Sequence, residues 1–152
     1  MSKKTITLNG LSLSLEDIVK VAREGYSVTL SPEAGEAVEG AAALVEKWAS
    51  YDQVVYGITT GFGDLASVKI SPKDRRMLQE NLLRSHACGV GAPYPVDVTR
   101  AIMLLRVNTL SRGHSGISLS TLNALIDMLN KRIHPLIPRQ GSVGASGDLC
   151  PL

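Results

Sequence analysis

Apolar residues recur along the chain at helical spacing, and each run is introduced by residues suited to start a helix. Leu15, Ile18, Val19 and Ala22 fall at i, i+3, i+4 and i+7 behind Ser14, with Asp17 as the acidic partner of a capping box and Gly25 as the stop. Ser31-Pro32-Glu33 predicts a second helix with proline at its first position, carrying Ala34, Val38, Ala41, Val45 and Trp48. Ser71-Pro72-Lys73-Asp74 repeats that start ahead of Met77, Leu78 and Leu82. Asp97 is placed to cap a fourth helix through Ala101, Leu104, Leu105 and Val107. Ser118 opens a fifth with Leu119, Leu122, Leu125, Ile126 and Leu129, closed by His134-Pro135 and Pro138. Strand patterns are short: Thr5–Leu8, Val28–Leu30 and Val54–Val55 predict a small sheet near the N-terminus. The expected fold class is mainly α with a few short β-strands.

Composition narrows the functional classes. A chain of 152 residues suggests about one domain, and at that size a globular fold buries roughly two thirds of its unfolded surface. Sixteen Lys and Arg against 14 Asp and Glu leave a net charge of +2, which supplies no general attraction to nucleic acid or anionic lipid. No strictly apolar run exceeds five residues, Ala101–Leu105 being one, whereas a membrane span needs about 20. Neither a nucleic-acid nor a membrane partner is therefore expected. Cys88 and Cys150 are too few for a disulfide scaffold. Behind the basic Met1–Lys4 the sequence alternates instead of forming the apolar segment of a secretory signal, so a cytoplasmic setting is expected.

Two glycine-rich segments stand apart from the helical patterns, Tyr56-Gly-Ile-Thr-Thr-Gly-Phe-Gly63 and Gly141-Ser-Val-Gly-Ala-Ser-Gly-Asp148. The ordinary reading of each is a loop between helices. Neither carries the phosphate-binding glycine patterns that precede a helix. Gly141, Gly144 and Gly147 could offer backbone N–H groups to an anion beside Arg139. Ser146 lies between Ala145 and Gly147, outside the Gly-x-Ser-x-Gly elbow of hydrolases. His86, His114 and His134 are far apart; His86-x-Cys88 could give two metal ligands, but nothing else has ligand spacing, so no metal is expected.

Four stretches taken together change the odds. Tyr56–Gly63, Asn81-Leu-Leu-Arg-Ser-His-Ala-Cys-Gly-Val-Gly91, Arg106-Val-Asn-Thr-Leu-Ser-Arg-Gly-His-Ser-Gly116 and Ile137-Pro-Arg-Gln-Gly-Ser-Val-Gly-Ala-Ser-Gly-Asp-Leu149 resemble, in order and spacing, the motifs of the aromatic amino acid ammonia-lyases and aminomutases. The resemblance implies the helical N-terminal segment of the ammonia-lyase fold, which is fumarase/aspartase-like. It also implies that Ala145, Ser146 and Gly147 form a 4-methylidene-imidazol-5-one electrophile. In that chemistry the Gly147 nitrogen attacks the Ala145 carbonyl, easiest without a Cβ on the attacking residue. Loss of the ring water and of the Ser146 hydroxyl then leaves the methylidene. Neither a metal nor a diffusible cofactor is implied.

By the same resemblance Tyr56 takes the place of the base that removes the substrate β-proton. A free tyrosine titrates near pH 10, so the role demands surroundings that favour the phenolate. Ser85-His86 holds the substrate-selecting position and resembles the pair found in histidine ammonia-lyases, where an imidazole can exchange a hydrogen bond with the substrate ring. Ser111-Arg-Gly-His-Ser-Gly116 points the same way. Thr59 departs: asparagine is usual there in the histidine enzymes, and Thr-Thr-Gly-Phe-Gly is commoner in the phenylalanine and tyrosine enzymes. The implied reaction is elimination of ammonia from L-histidine to trans-urocanate, with a phenylalanine/tyrosine ammonia-lyase or an aminomutase as the alternative. Cys88, His114 and His134 are expected to be structural. Family members are several times longer and act as homotetramers. Residues 1–152 are thus expected to be a single N-terminal domain cut just after the Ala-Ser-Gly loop. Such a fragment should be inactive alone, with the tripeptide unmodified, and a non-catalytic fragment acting only in association is a further alternative.

Overall fold

The computed structural model describes residues 4–50, 54–142 and 149–150. In chain order the elements are β1 (Thr5–Leu8), α1 (Leu15–Ala22), β2 (Ser27–Leu30), α2 (Pro32–Ser50), a 3-10 turn (Gly63–Leu65), α3 (Arg75–His86), β3 (Val90–Pro93), α4 (Val96–Leu110), α5 (Leu119–Asn130) and β4 (Pro138–Gln140). The fold is mainly helical, as expected from the sequence. Two units divide the chain, one of Met1–Leu44 with Tyr94–Leu136 and one of Val45–Pro93 with Ile137–Leu152.

In the first unit β1 and β2 pair in parallel, Thr5 opposite Ser27 through Leu8 opposite Leu30, with α1 as the crossover. Helix α1 packs on α4, α4 on α5, and α5 on β2. Leu8, Val21, Val28, Val38, Met103, Leu104, Val107, Leu110, Leu122, Ile126 and Leu129 form one buried cluster. Ser14 caps α1 with the full reciprocal box: its hydroxyl accepts from the Asp17 N–H, and the Asp17 carboxylate accepts from the Ser14 N–H. That hydroxyl also donates to the Asp17 carboxylate, which together with Lys20 holds the carboxyl below its usual range.

Several expectations shift on contact with the structure. On α1 the fully buried residue is Val21, while Leu15 and Val19 face solvent; α4 packs along Arg100, Met103, Leu104 and Val107, leaving Leu105 exposed. Asp97 does not cap α4. Pro95 stands at that cap, and the Asp97 carboxylate lies in the first turn as the acceptor of the Arg23 Nε–H at 3.0 Å. Helix α3 starts at Arg75, because the Ser71 hydroxyl donates to the Asp74 carboxylate instead of accepting from a first-turn amide. Helix α5 ends at Asn130, short of His134-Pro135, where Arg132 adopts a left-handed φ of 59°. Val54–Val55 is not a strand; its carbonyl is used by a turn described below.

The buried guanidinium of Arg100, 5% exposed, ties three of these elements together. Its Nε and Nη2 donate to the Val21 carbonyl at 3.1 and 2.7 Å, and Nη1 donates to the Leu129 carbonyl at 2.9 Å and to His134 Nε2 at 3.1 Å. Val21 and Leu129 stand in the last turns of α1 and α5, where a cation matches the helix dipole; the Leu129 carbonyl also accepts from the Arg132 N–H at 3.4 Å. Because Arg100 only donates, His134 must accept at Nε2 and carry its proton on Nδ1. Burial, and then the charges of Arg100 and Arg132, hold the His134 pKa below its ordinary 6.5. One step beyond Leu129, the Asn130 side chain accepts from the Val28 N–H and donates to the Val28 carbonyl, both at 2.8 Å, closing the edge of β2 that β1 leaves open.

In the second unit β3 and β4 pair antiparallel, with Val90 opposite Gln140 and Pro93 opposite Pro138 and an irregularity between them. Burial is sparse: no residue of α3 is buried, and Met77 and Leu83 are exposed. Among the described residues of this unit, the buried side chains are Thr59, Thr60 and Ile137. No helix among the described residues is long and apolar enough to cross a membrane.

Replacing Arg100 by methionine orphans the Val21 carbonyl, leaves the Leu129 carbonyl only its longer backbone bonds, and should lower unfolding free energy in urea by about 2 kcal/mol. Arg100→Lys should recover only part of this, since one ammonium nitrogen replaces the three guanidinium nitrogens that reach the two ends. His134 gives a pH test. Its unfolded form takes up a proton first, so stability is complete above about pH 6.5 and falls as pH drops below it. His134→Gln should flatten that fall below about pH 6.5 in thermal melts; an unchanged slope would assign the effect to other groups.

Candidate functional site

The first glycine-rich segment forms a closed turn that presents Tyr56. Ile58 and Thr59 N–H groups donate to the Val55 carbonyl at 3.0 and 2.9 Å. The Val55 N–H donates to the Thr59 hydroxyl at 2.7 Å and the Gly57 N–H to the Thr60 hydroxyl at 3.1 Å, so both amides flanking Tyr56 end on threonine oxygens. Gly57 takes a left-handed φ of 71°, and a Cβ there would stand 3.1 Å from the Phe62 ring. The returning chain is tied by Ile70 N–H to the Thr59 carbonyl at 2.8 Å and by Gly61 N–H to the Val68 carbonyl at 3.3 Å. Tyr56 itself is 63% exposed, its ring edge-to-face with Phe62 at 5.8 Å between centroids.

Ser85 and His86 form the last turn of α3. His86 Nδ1 lies 2.7 Å from the Leu82 carbonyl and 3.0 Å from the Ser85 hydroxyl, which itself donates to the Leu82 carbonyl at 2.9 Å. A carbonyl can only accept, so Nδ1 carries a proton, and in the neutral ring Nε2 is the lone-pair acceptor. Helical geometry therefore fixes the tautomer: the i−4 carbonyl is where the ring nitrogen reaches. Among the described residues no hydrogen bond joins Tyr56 to this pair.

Described residues on either side of the second glycine-rich segment meet the chain that follows α3. Its entry, Gln140, pairs with Val90 across β3 and β4. Its exit, Cys150, places Sγ 2.5 Å from where a Cβ on Gly89 would stand, with Pro138 at 3.0 Å, so no side chain fits at Gly89. Gly89 and Val90 follow His86 by three and four residues. Ala145, Ser146 and Gly147 lie outside the described residues, as does Gly144, so the expected glycine array falls there apart from Gly141.

The remaining candidates fall elsewhere. His114 lines a cavity of about 390 Å³ in the first unit with Asn9, Ser31, Glu33, Ser111 and Arg112. His134 serves the Arg100 cluster, a structural role as expected. Among the described residues no three His, Cys, Asp or Glu side chains gather as metal ligands. Sequence reasoning missed the β3–β4 pair, whose prolines stand at strand ends and whose Gly91 breaks the apolar pattern. It also missed the hydroxyl bonds of Thr59 and Thr60, although adjacent threonines beside glycines are a local signal for side-chain-to-backbone bonding.

Comparison with known proteins places these features in context. The sequence profile of the family described as aromatic amino acid lyase matches residues 13–152. The chain is 52% identical over 149 residues to the histidine ammonia-lyase of Streptococcus pyogenes serotype M49 (strain NZ131), covering 98% of this chain and 29% of that protein. The solved histidine ammonia-lyase of Trypanosoma cruzi superposes with a TM-score of 0.86 at 38% identity, over 97% of this chain and 28% of that one. The tyrosine aminomutase of Streptomyces globisporus gives 0.88 at 34% identity, over 97% and 27%. The chain thus spans under a third of the length of the relatives it matches.

The arrangement at the end of α3 has a direct spectroscopic check. Nitrogen-15 imidazole spectra above pH 7 should report His86 as the Nδ1–H tautomer, and Ser85→Ala should leave that tautomer in place because the Leu82 carbonyl remains. A dominant Nε2–H form would remove the acceptor inferred here.

Proposed function

The chain belongs to the aromatic amino acid lyase family, and from that premise we propose that it supplies part of the active site of an ammonia-lyase acting on L-histidine. The observation that carries the reading is His86, held as an acceptor at Nε2 three and four residues before Gly89 and Val90, which meet Cys150 and Gln140. An acceptor in that place suits the ring N–H of a substrate imidazole, and a leucine there would leave that N–H unpaired. Ser85 supports the ring of His86 through their 3.0 Å contact. The methylidene-imidazolone formed from Ala145, Ser146 and Gly147 would supply an electrophilic carbon that activates the departing amine.

Within this reading Tyr56 is the base. Its phenolate oxygen takes the β-proton, the C–H electron pair becomes the Cα–Cβ double bond, and the C–N pair leaves with nitrogen. The proton passes on to the leaving group, so histidine yields trans-urocanate and ammonia in balance. Edge-to-face contact with Phe62 restricts where the Tyr56 ring can stand. The exposed ring supports the role, since a base must reach a ligand. Homotetrameric assembly and a cytoplasmic setting belong to the same proposal, supported by the family alone. A second reading, a tyrosine or phenylalanine enzyme or an aminomutase, is favoured by Thr59 and by the tyrosine aminomutase superposition.

Two measurements test the proposal. Joined to the remaining length of the Streptococcus relative, these residues should convert L-histidine to urocanate, followed by ultraviolet absorbance, in preference to phenylalanine or tyrosine. Tyr56→Phe and Ser146→Ala should each lower kcat by about 100-fold or more, and His86→Leu should cost histidine turnover more than phenylalanine turnover. Preference for tyrosine would favour the second reading. Intact mass is the other measurement. The 152-residue chain is expected to keep the mass its sequence specifies, and the active chimera to be lighter by two waters.

A further inference from the structure

We propose that Thr59 and Thr60 are positioning residues that fix Tyr56, a role resting on the reading of Tyr56 as the base. The two hydroxyls accept from the amides immediately before and after it, Val55 N–H at 2.7 Å and Gly57 N–H at 3.1 Å. Each hydroxyl also donates onward, Thr59 to the Val55 carbonyl at 3.4 Å and Thr60 to the Gly61 carbonyl at 3.0 Å. They are 0% and 2% exposed, the most buried polar side chains of their unit among the described residues. Around them the backbone is permissive: Gly57, Gly61 and Gly63 interrupt the segment, and Gly57 and Gly63 adopt left-handed φ. Glycine at that density leaves many loop conformations open, so something directional must select one. Apolar packing does not do this, since Tyr56 is largely exposed. The threonine bonds hold the backbone on both sides of the ring while the ring stays accessible.

This assigns a physical meaning to the residue type at position 59. Thr59 is fully buried with its hydroxyl engaged by the backbone, so it acts through Tyr56 and not by touching a substrate ring. What the position requires is a short side chain with an oxygen acceptor for the Val55 N–H. An asparagine amide oxygen meets that requirement as well as a threonine hydroxyl does. Threonine and asparagine are then two solutions to one backbone constraint, and Thr59 ceases to argue for a phenylalanine or tyrosine substrate.

The chain itself carries the first test. In NMR spectra the Tyr56 ring protons should show the upfield shift expected beside the Phe62 ring, with the Val55 and Gly57 amides protected from exchange. Thr59→Val should abolish the shift and the Val55 protection, and Thr60→Val the Gly57 protection. Thr59→Ser and Thr59→Asn should keep all of them, and they decide the matter if the valine variants fail to fold. Unchanged spectra in Thr59→Val, or loss in Thr59→Asn, would overturn the proposal whatever the catalytic outcome. In the chimera, Thr59→Val should lower kcat on the order of 100-fold, as displacement of a reacting group does, with KM for histidine unchanged. A rise in KM with kcat retained would mean that Thr59 contacts substrate and would overturn the positioning role. If the unsubstituted chimera forms no urocanate, the reading of Tyr56 as base fails, while the spectra still decide what positions the ring.

Discussion

Helices end with carbonyls that no further turn can satisfy, and in the first unit two such ends meet at a single side chain. The guanidinium of Arg100 reaches Val21 on α1 and Leu129 on α5 from its own place on α4. A planar fork spreads five donors over three nitrogens and so reaches two acceptors that stand apart, where a lysine offers a single nitrogen. Once those ends are held, Asn130 falls beside β2, and its amide completes the strand edge through paired 2.8 Å bonds to Val28. The apolar cluster of Leu104, Leu122, Leu129 and Val28 closes beneath. The buried cation is stabilised where it lies because helix C-termini present partial negative charge.

The second unit satisfies the same constraint by different means. It has little apolar burial, and its best-buried side chains are two threonines bound to backbone amides. His86 likewise turns back to the Leu82 carbonyl, and that bond decides which ring nitrogen is left for a ligand. Gly89 admits Cys150 because it has no side chain at all. Each of these features sets the direction of a group and contributes only modestly to stability, since a net hydrogen bond is worth about 1 kcal/mol.

Much of the helical frame was legible in the sequence because its signals are local. The Ser14–Asp17 box and the Ser118 cap are complete within four residues, and both appear as expected. Leu122, Ile126 and Leu129 on α5 follow the helical period and are buried. What was not legible depends on partners distant in sequence. Asp97 resembles a cap until Arg23, 74 residues earlier, is seen to hold its carboxylate. Val90–Pro93 becomes a strand only because Pro138–Gln140 pairs with it. The candidate positions Tyr56, Ser85 and His86 rest on resemblance to a family; periodicity alone would have left them as a loop tyrosine and a helix end.

A site built in a sparsely packed unit has a consequence for how substitutions there act. In a dense core, loss of a methyl group is felt through cavity and contact loss, and size is what matters. Around Tyr56 the determinant is which atoms can accept a bond, so threonine, serine and asparagine at position 59 belong together although their shapes differ, and valine, closest to threonine in shape, does not. The same holds at position 86, where the Leu82 carbonyl orients the imidazole and would find no partner in a leucine of similar bulk. Segments with few apolar contacts also open more readily than cores do. Directional polar bonds therefore let the loop that carries Tyr56 hold one geometry without the burial that would close it to a ligand.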